Sequence, residues 1–328
     1  MLKSLFSRGL VVFLALTLLI AGETTAQAQV PQWPTRPVKF IVPFAAGAGA
    51  DIGARVAAEY LSTKWGQPVI VENRPGGDGL IAIRAVVNAN DDHQLFFSAS
   101  GTFTPHPYRH DNLGYDRKRD LIPLARFSNT IVVIGVTSSL PAKSLRDMIA
   151  LAKATPRKLN VVLVPGITEL VWDGFSKTEG VEITKVPFSN IMQGAAEMET
   201  GRIEISMAGL ALLQPVLQSK GARLLAVTSR ARVPSLPDVP TAIEAGVPSL
   251  TLEGLVGVFA PSSFSPALHK RVGEEIAEVA KLPAVAERLS ATGQVPNPGG
   301  AEEFAADITL QEEQIAKIAD ITGLPRRN

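Results

Sequence analysis

The stretch Ala46-Gly47-Ala48-Gly49-Ala50-Asp51 offers a ligand little except main chain. Small side chains let backbone amides approach a bound group closely. A helical pattern begins at Asp51, and a helix start there would aim unpaired N–H groups and the positive end of a dipole at the same space. That combination suits a carboxylate or a phosphate. The plainer alternative is a tight strand-to-helix turn with Asp51 as its N-cap. Asp51 itself would repel an anion, and as a ligand contact it would meet an ammonium group. A second polar stretch, Ser98-Ala99-Ser100-Gly101-Thr102, places three hydroxyls beside a glycine. It serves either as the other wall of that site or as an ordinary polar loop.

Other chemistries find less support. "GAGADIG" lacks the lysine of a P-loop and misses the G-x-G-x-x-G spacing by one residue, so nucleotide cofactors are not expected. His106 and His110 are four apart, with Asp111 and Asp116 nearby, which is a metal-like spacing. Pro105 and Pro107 argue against a regular helix face there, and no metal is expected. Ser100 precedes Gly101 but belongs to no G-x-S-x-G elbow, and no histidine has a triad context, so no enzyme is expected. The absence of cysteine excludes disulfides, thiolate metal sites and a thiol nucleophile. A net charge of +1 gives no field for nucleic acid or a membrane surface. His93 and His269 read as solvated, Arg74 as a surface pair or hinge support, and Trp33 and Trp65 as packing residues.

The elements that must position these residues alternate in type. Strands are predicted over 38–44, 68–71 and 95–98, with helices over 51–65 and 80–89 between them. This βαβαβ order predicts a parallel sheet covered by helices. In such a sheet, ligands sit beyond the carboxyl ends of the strands, where the loops at 46–51 and 98–102 lie. The pattern restarts with strands over 131–136, 159–164, 183–186, 203–207 and 224–228, and helices over 145–154 and 172–178. A late strand over 256–259 precedes amphipathic helices over 266–281 and 301–321. Two α/β halves predict two lobes around a cleft. At the start, Lys3 and Arg8 precede an apolar run over 10–21 and the small-x-small pattern Ala26-Gln27-Ala28. That is the order of a cleaved secretory signal, leaving an exported chain that begins near Gln29.

Longer segments carry a resemblance. "WPTRPVKFIVPFAAGAGADIGARVAAEYL", "GQPVIVENRPGGDG", "YDRKRDLIPLARF", "PAKSLRDMIALAKATP", "LLAVTSRARVPSLPDVPTAIEAGVP" and "GVFAPSSFSP" follow one another as in the Bug, or tripartite tricarboxylate transporter, periplasmic receptors. The chain resembles that family over nearly all of its exported length. The resemblance implies a type II periplasmic binding-protein fold, with one lobe from 29–130 and 251–328 and the other from 131–250, after a signal peptide over 1–28. It also implies capture of a small organic acid and membrane transporter subunits as partners; no cofactor and a monomeric chain are expected. A sensor-kinase receptor is the alternative, with an exported hydrolase further behind.

Departures from the family pattern fall in the second lobe. Glu169 stands where a histidine is common and Trp172 where a small residue is usual. Phe188, Ser189, Asn190 and Ile191 replace tyrosine, lysine and two glycines, and Glu204 and Ala208 stand where aspartate is common. Glu169 reads either as a cleft carboxylate opposing a tricarboxylate or, preferably, as a solvated helix-start residue. Trp172 reads as cleft or core, with core preferred. The expected ligand is a monocarboxylate, an amino acid or an aromatic acid rather than citrate. Its carboxylate would dock on Gly47–Ala50 with help from Ser98, Ser100 and Thr102. The second lobe would close on it through Gly166, Ile167 and Thr168 and through 188–190, about hinges near 130 and 250.

Overall fold

The computed structural model describes residues 33–188 and 191–327. The expected signal segment, and Ser189 and Asn190 of the expected site, lie outside the described residues. The folded part opens with β1 (Val38–Val42), α1 (Gly49–Trp65), β2 (Val69–Asn73), α2 (Leu80–Ala89) and β3 (Gln94–Ala99). β1 pairs in parallel with β2 on one side and β3 on the other, as the alternation predicts. α1 buries Ala54, Val56, Ala57 and Leu61 and stops at Gly66, whose left-handed φ of 64° a side chain would resist.

Two single-turn helices follow, α3 (His106–Arg109) and α4 (Arg117–Asp120), and lead into β4 (Ile122–Thr130). The turn at α3 forms despite Pro105 and Pro107, because prolines are tolerated in the first turn, where no intrahelical N–H bond is lost. After Ile131 the chain enters a second sheet. Its elements are β5 (Val132–Thr137), α5 (Leu145–Ala154), β6 (Asn160–Leu163), α6 (Ile167–Glu179), β7 (Thr184–Lys185), α7 (Ile191–Ala196), β8 (Ile205–Gly209), α8 (Leu210–Gln218) and β9 (Ala222–Val227). The strand order is β7-β6-β8-β5-β9, with β5 antiparallel to β8 and β9. The chain then returns through β10 (Gly254–Ala260), α9 (Pro266–Ala280), α10 (Pro283–Ala291), β11 (Gln294–Gly299) and α11 (Ala301–Thr322). The first sheet thereby grows to β11-β4-β10-β3-β1-β2, with β10 antiparallel to both β3 and β4. The parallel sheet expected from the βαβαβ order holds for β1 to β3, whereas β10 and β11 join the same sheet antiparallel.

The two crossings between sheets lie side by side. Thr228 N–H donates to Val132 O at 3.0 Å, and Leu252 N–H donates to Thr228 O at 2.9 Å. Gly254 pairs with Thr130, and a methyl group on it would overlap Thr130 O, so the two strands pass this closely only with glycine there.

One core under the first sheet gathers Ile41, Ile83, Phe96, Phe103, Phe259, Phe304 and Ile308. Another, in the second sheet's half, gathers Met148, Val161, Trp172, Phe175, Ile205 and Leu225 together with Ile315 and Ile318. α11 supplies both: Phe304 stacks on Phe259 at 5.1 Å, while Ile318 packs over Gly174 of α6. Its 22 residues span about 33 Å, enough to reach from one core to the other. Trp172 is a core residue, 5.0 Å from Phe175, and its buried indole Nε1 has no hydrogen-bond partner among the described residues.

Candidate functional site

A cavity of about 190 Å3 lies between the two sheets, lined by residues from both and from the crossings. From the first half come Phe44 to Ala46, Ala48 to Ala50, Ala99, Gly101 and Thr102; from the second come Val164, Pro165, Ile167, Thr168, Gly209, Ala211 and Leu212. Thr130, Val132 and Leu252 to Leu255 close it at the crossings. Three helix starts therefore open on one space: α1 at Gly49, α6 at Ile167 and α8 at Leu210. A 3-10 turn over Ser100–Thr102 adds a fourth set of amides. First-turn amides have no intrahelical acceptor, so each start brings unpaired donors and partial positive charge. No lysine or arginine is among the described residues of the lining.

The opening loop is built by its aspartate. Asp51 lies within α1, whose N-cap is Ala48, so it is not the N-cap itself. Its carboxylate reaches back to accept the Gly47 amide at 2.9 Å, and also accepts from Asn73 Nδ2 at 2.8 Å and Arg55 Nε at 3.0 Å. Burial pushes the Asp51 carboxyl up, but the bonds from Arg55, Asn73 and Gly47 outweigh it and hold it below the ordinary value. Gly47 can turn back in this way because it adopts a φ of 89°. Its amide is thus committed to Asp51, which leaves the cavity to the amides that follow. Gln294 fixes the same turn from β11, donating through Nε2 to Gly49 O at 2.7 Å.

The second polar stretch divides. Gly101 and Thr102 line the cavity, whereas Ser98 and Ser100 are buried behind it. Ser100 Oγ donates to Gln311 Oε1 at 2.7 Å, and Ser98 Oγ shares a hydrogen with Thr102 Oγ1 at 3.0 Å. Gln311 of α11 also donates through Nε2 to Glu253 O at 3.1 Å, so it joins the turn at 100–104 to the crossing. Gln294 and Gln311 are supports that local sequence patterns did not reveal, because their partners lie over 200 residues away. Among the remaining expected residues, Ile167 and Thr168 are in the lining and Gly166 lies just behind as the N-cap of α6, at a φ of 107°. Phe188 packs beside Val162 and Ala195 in a separate core cluster and does not line the cavity.

The two halves touch at the rim. A methyl group on Gly101 would overlap Ile167 Cγ2, and one on Gly166 would stand 3.2 Å from Gly101 O. Beside this contact, Arg109 bridges the halves: its Nε meets Asp78 Oδ2 at 2.7 Å and its Nη1 meets Glu169 Oε2 at 2.5 Å. Glu169 is a partly exposed residue in the first turn of α6, outside the cavity lining, and also half of an ion pair across the rim. His110 Nε2 lies 3.2 Å from Asp78 Oδ2. His106 is buried, with Nε2 donating to Asp78 O and Nδ1 accepting from the Tyr115 hydroxyl, both at 2.8 Å. That arrangement leaves no lone pair of the imidazole for a metal, although Asp78, His106 and His110 cluster closely. His93, expected to be solvated, is buried, and its Nε2 accepts the Thr35 amide at 3.1 Å. Arg74 pairs with Glu72.

Residues 53–323 match the model of the tripartite tricarboxylate transporter family receptor. A UPF0065 protein of Bordetella bronchiseptica is 29% identical over 321 residues, covering 96% of this chain and 96% of the relative. Protein BugT of Bordetella pertussis is 28% identical over 288 residues, covering 84% and 86%. The structure of R. palustris Rpa4515 with adipate is 28% identical, covers 89% of this chain and 99% of its own, and superposes with a TM-score of 0.79.

Proposed function

This chain belongs to the receptors of the tripartite tricarboxylate transporter family, and from that premise we propose that it captures a small carboxylate by cleft closure in the periplasm and delivers it to the membrane subunits of a transporter. The observation that carries the proposal is the convergence of three helix starts and a 3-10 turn on one cavity without a basic side chain among its described lining residues. A carboxylate held there takes its hydrogen bonds from main chain, and the ligand's carbon skeleton meets Val132, Val164, Ile167, Leu212 and Leu255. The family and fold are those of solute-binding receptors, and a related receptor holds adipate.

The ligand is a monocarboxylate, an amino acid or an aromatic acid rather than citrate. An apolar cavity of roughly 150 Å3 takes a benzene ring, so about 190 Å3 leaves room for one compact skeleton. Each further carboxylate would be buried without a cationic partner, at a cost of several kcal/mol per unpaired charge. A thermal-shift screen of the purified protein against mono-, di- and tricarboxylates, aromatic acids and amino acids tests this. A ligand present at about a thousand times its dissociation constant adds roughly 4 kcal/mol to the folded state. The expected result is stabilisation by a monocarboxylate-type acid and none by citrate. Stabilisation by citrate alone, or by no acid in a sample free of retained ligand, overturns the proposal.

A further inference from the structure

Four described residues of the cavity lining carry polar side chains: Thr102, Thr130, Thr168 and Glu253. Three of them are committed to other parts of the protein. Thr102 Oγ1 shares a hydrogen with Ser98 Oγ at 3.0 Å, and Thr168 Oγ1 donates to Val164 O. The Glu253 carboxylate accepts from the Arg230 amide at 2.9 Å and from Asn129 Nδ2 at 3.0 Å. Thr130 differs: among the described residues, its hydroxyl has no hydrogen-bond partner. It is the half-buried last residue of β4, at the first crossing. A methyl group on Gly49 would stand 2.9 Å from Thr130 Oγ1, and one on Gly209 would stand 3.1 Å from its Cγ2. The side chain therefore lies between the start of α1 in one half and the N-cap of α8 in the other, with its hydroxyl on the α1 side.

We propose that Thr130 is a ligand-binding residue whose hydroxyl donates to the carboxylate of the bound acid, beside the amides at the start of α1. This deepens the carboxylate-receptor reading and rests on it. Closure removes water from the cavity wall, and an unpaired hydroxyl shut into an apolar site costs free energy. The ligand's carboxylate supplies the missing acceptor, and a hydroxyl donates to it without bringing a charge into the site. Because Thr130 also belongs to the first crossing, the acid then touches a strand about which the halves turn.

Calorimetry with hexanoate, benzoate and adipate, on the unaltered protein and on Thr130→Val and Thr130→Ser, tests the assignment. Thr130→Val keeps the shape and loses the hydroxyl. For each acid that binds, it is expected to raise the dissociation constant about tenfold, the scale of one charge-assisted hydrogen bond. Thr130→Ser, which keeps the hydroxyl, should bind more nearly as the unaltered protein does. The melting temperature of Thr130→Val without ligand should not fall, because the hydroxyl bonds to no described residue, whereas the loss of a merely structural group would lower it. Unchanged affinity in Thr130→Val, or an equal loss in both variants, overturns the role of Thr130 while the carboxylate-receptor reading stands. A loss of affinity that comes with a lower melting temperature does the same. Failure of these acids and of the whole thermal-shift panel to bind the unaltered protein overturns both.

Discussion

At the residue scale, the rim depends on the missing side chain of Gly101. Ile167 occupies the space that a Cβ would need. Gly101→Ala should hold the rim apart and raise the ligand's dissociation constant by roughly tenfold or more, since overpacking costs about 1–3 kcal/mol. The melting temperature without ligand should change little, because the strain is relieved by opening. Ile167→Ala in the same chain should restore affinity, and calorimetry on the single and double variants reads both effects. His106 makes a pH prediction. Burial pushes its imidazole down to about 4 against the opposing pull of Asp78. An unfolded histidine titrates near 6.5. Between those values the unfolded chain binds the proton and the folded one does not, so stability falls as pH drops from about 6.5 to about 4. The loss totals about 3 kcal/mol, and urea melts at pH 7.5 and 4.5 should show a shallower fall in His106→Gln. Much of the candidate cavity's lining was legible, because glycine and alanine at a predicted strand-to-helix turn leave backbone exposed. What Ser100 and Asp51 do with their polar atoms was not, since Gln311 and Asn73 are brought to them by the tertiary fold.

At the element scale, α3 and α6 are tied across the rim by Arg109 and Glu169, which are equally exposed at 28%. A partly exposed pair of this kind is worth about 0.5–1 kcal/mol. Glu169→Gln should therefore weaken ligand binding by about two- to fivefold, and raised salt should have less effect on the variant than on the unaltered protein. A variant with unchanged affinity and unchanged salt response would remove the pair from the closing mechanism. The elements that sequence reveals best are those with a plain period: β1 to β3, α1, α9 and α11 follow their apolar spacing. β4 hides because Pro123, Arg126 and Asn129 interrupt its pattern. Arg126 is tolerated there because Asn297 O accepts from its Nε at 2.9 Å and Asp307 pairs with it. β11 hides because Pro296 and Pro298 suggest a loop, yet it lies at the sheet edge, where a missing N–H costs little.

At the scale of the whole molecule, closure requires the halves to turn about the crossings at Thr130–Val132 and 228–254. Small-angle scattering should show a smaller radius of gyration with ligand than without it, as for hinge closure. Gly254→Val should abolish this difference and lower the melting temperature, because its side chain would displace the Thr130 backbone. No such motion would mean that the ligand enters a cleft already shut. The two-lobed class was legible from repeated strand and helix patterns. The way the chain's final segment joins the halves was not, because the apolar face of α11 does not say which core receives which residue.

That joining has a consequence for how the protein is made. The first sheet receives β10 and β11 only after the whole second sheet has been synthesised, and the second core receives Ile315 and Ile318 later still. Neither half is finished when its own strands are complete. A nascent chain emerging from its N-terminus thus keeps incomplete cores until almost every residue described here is available. Folding of both cores is thereby timed by the last helix of the chain.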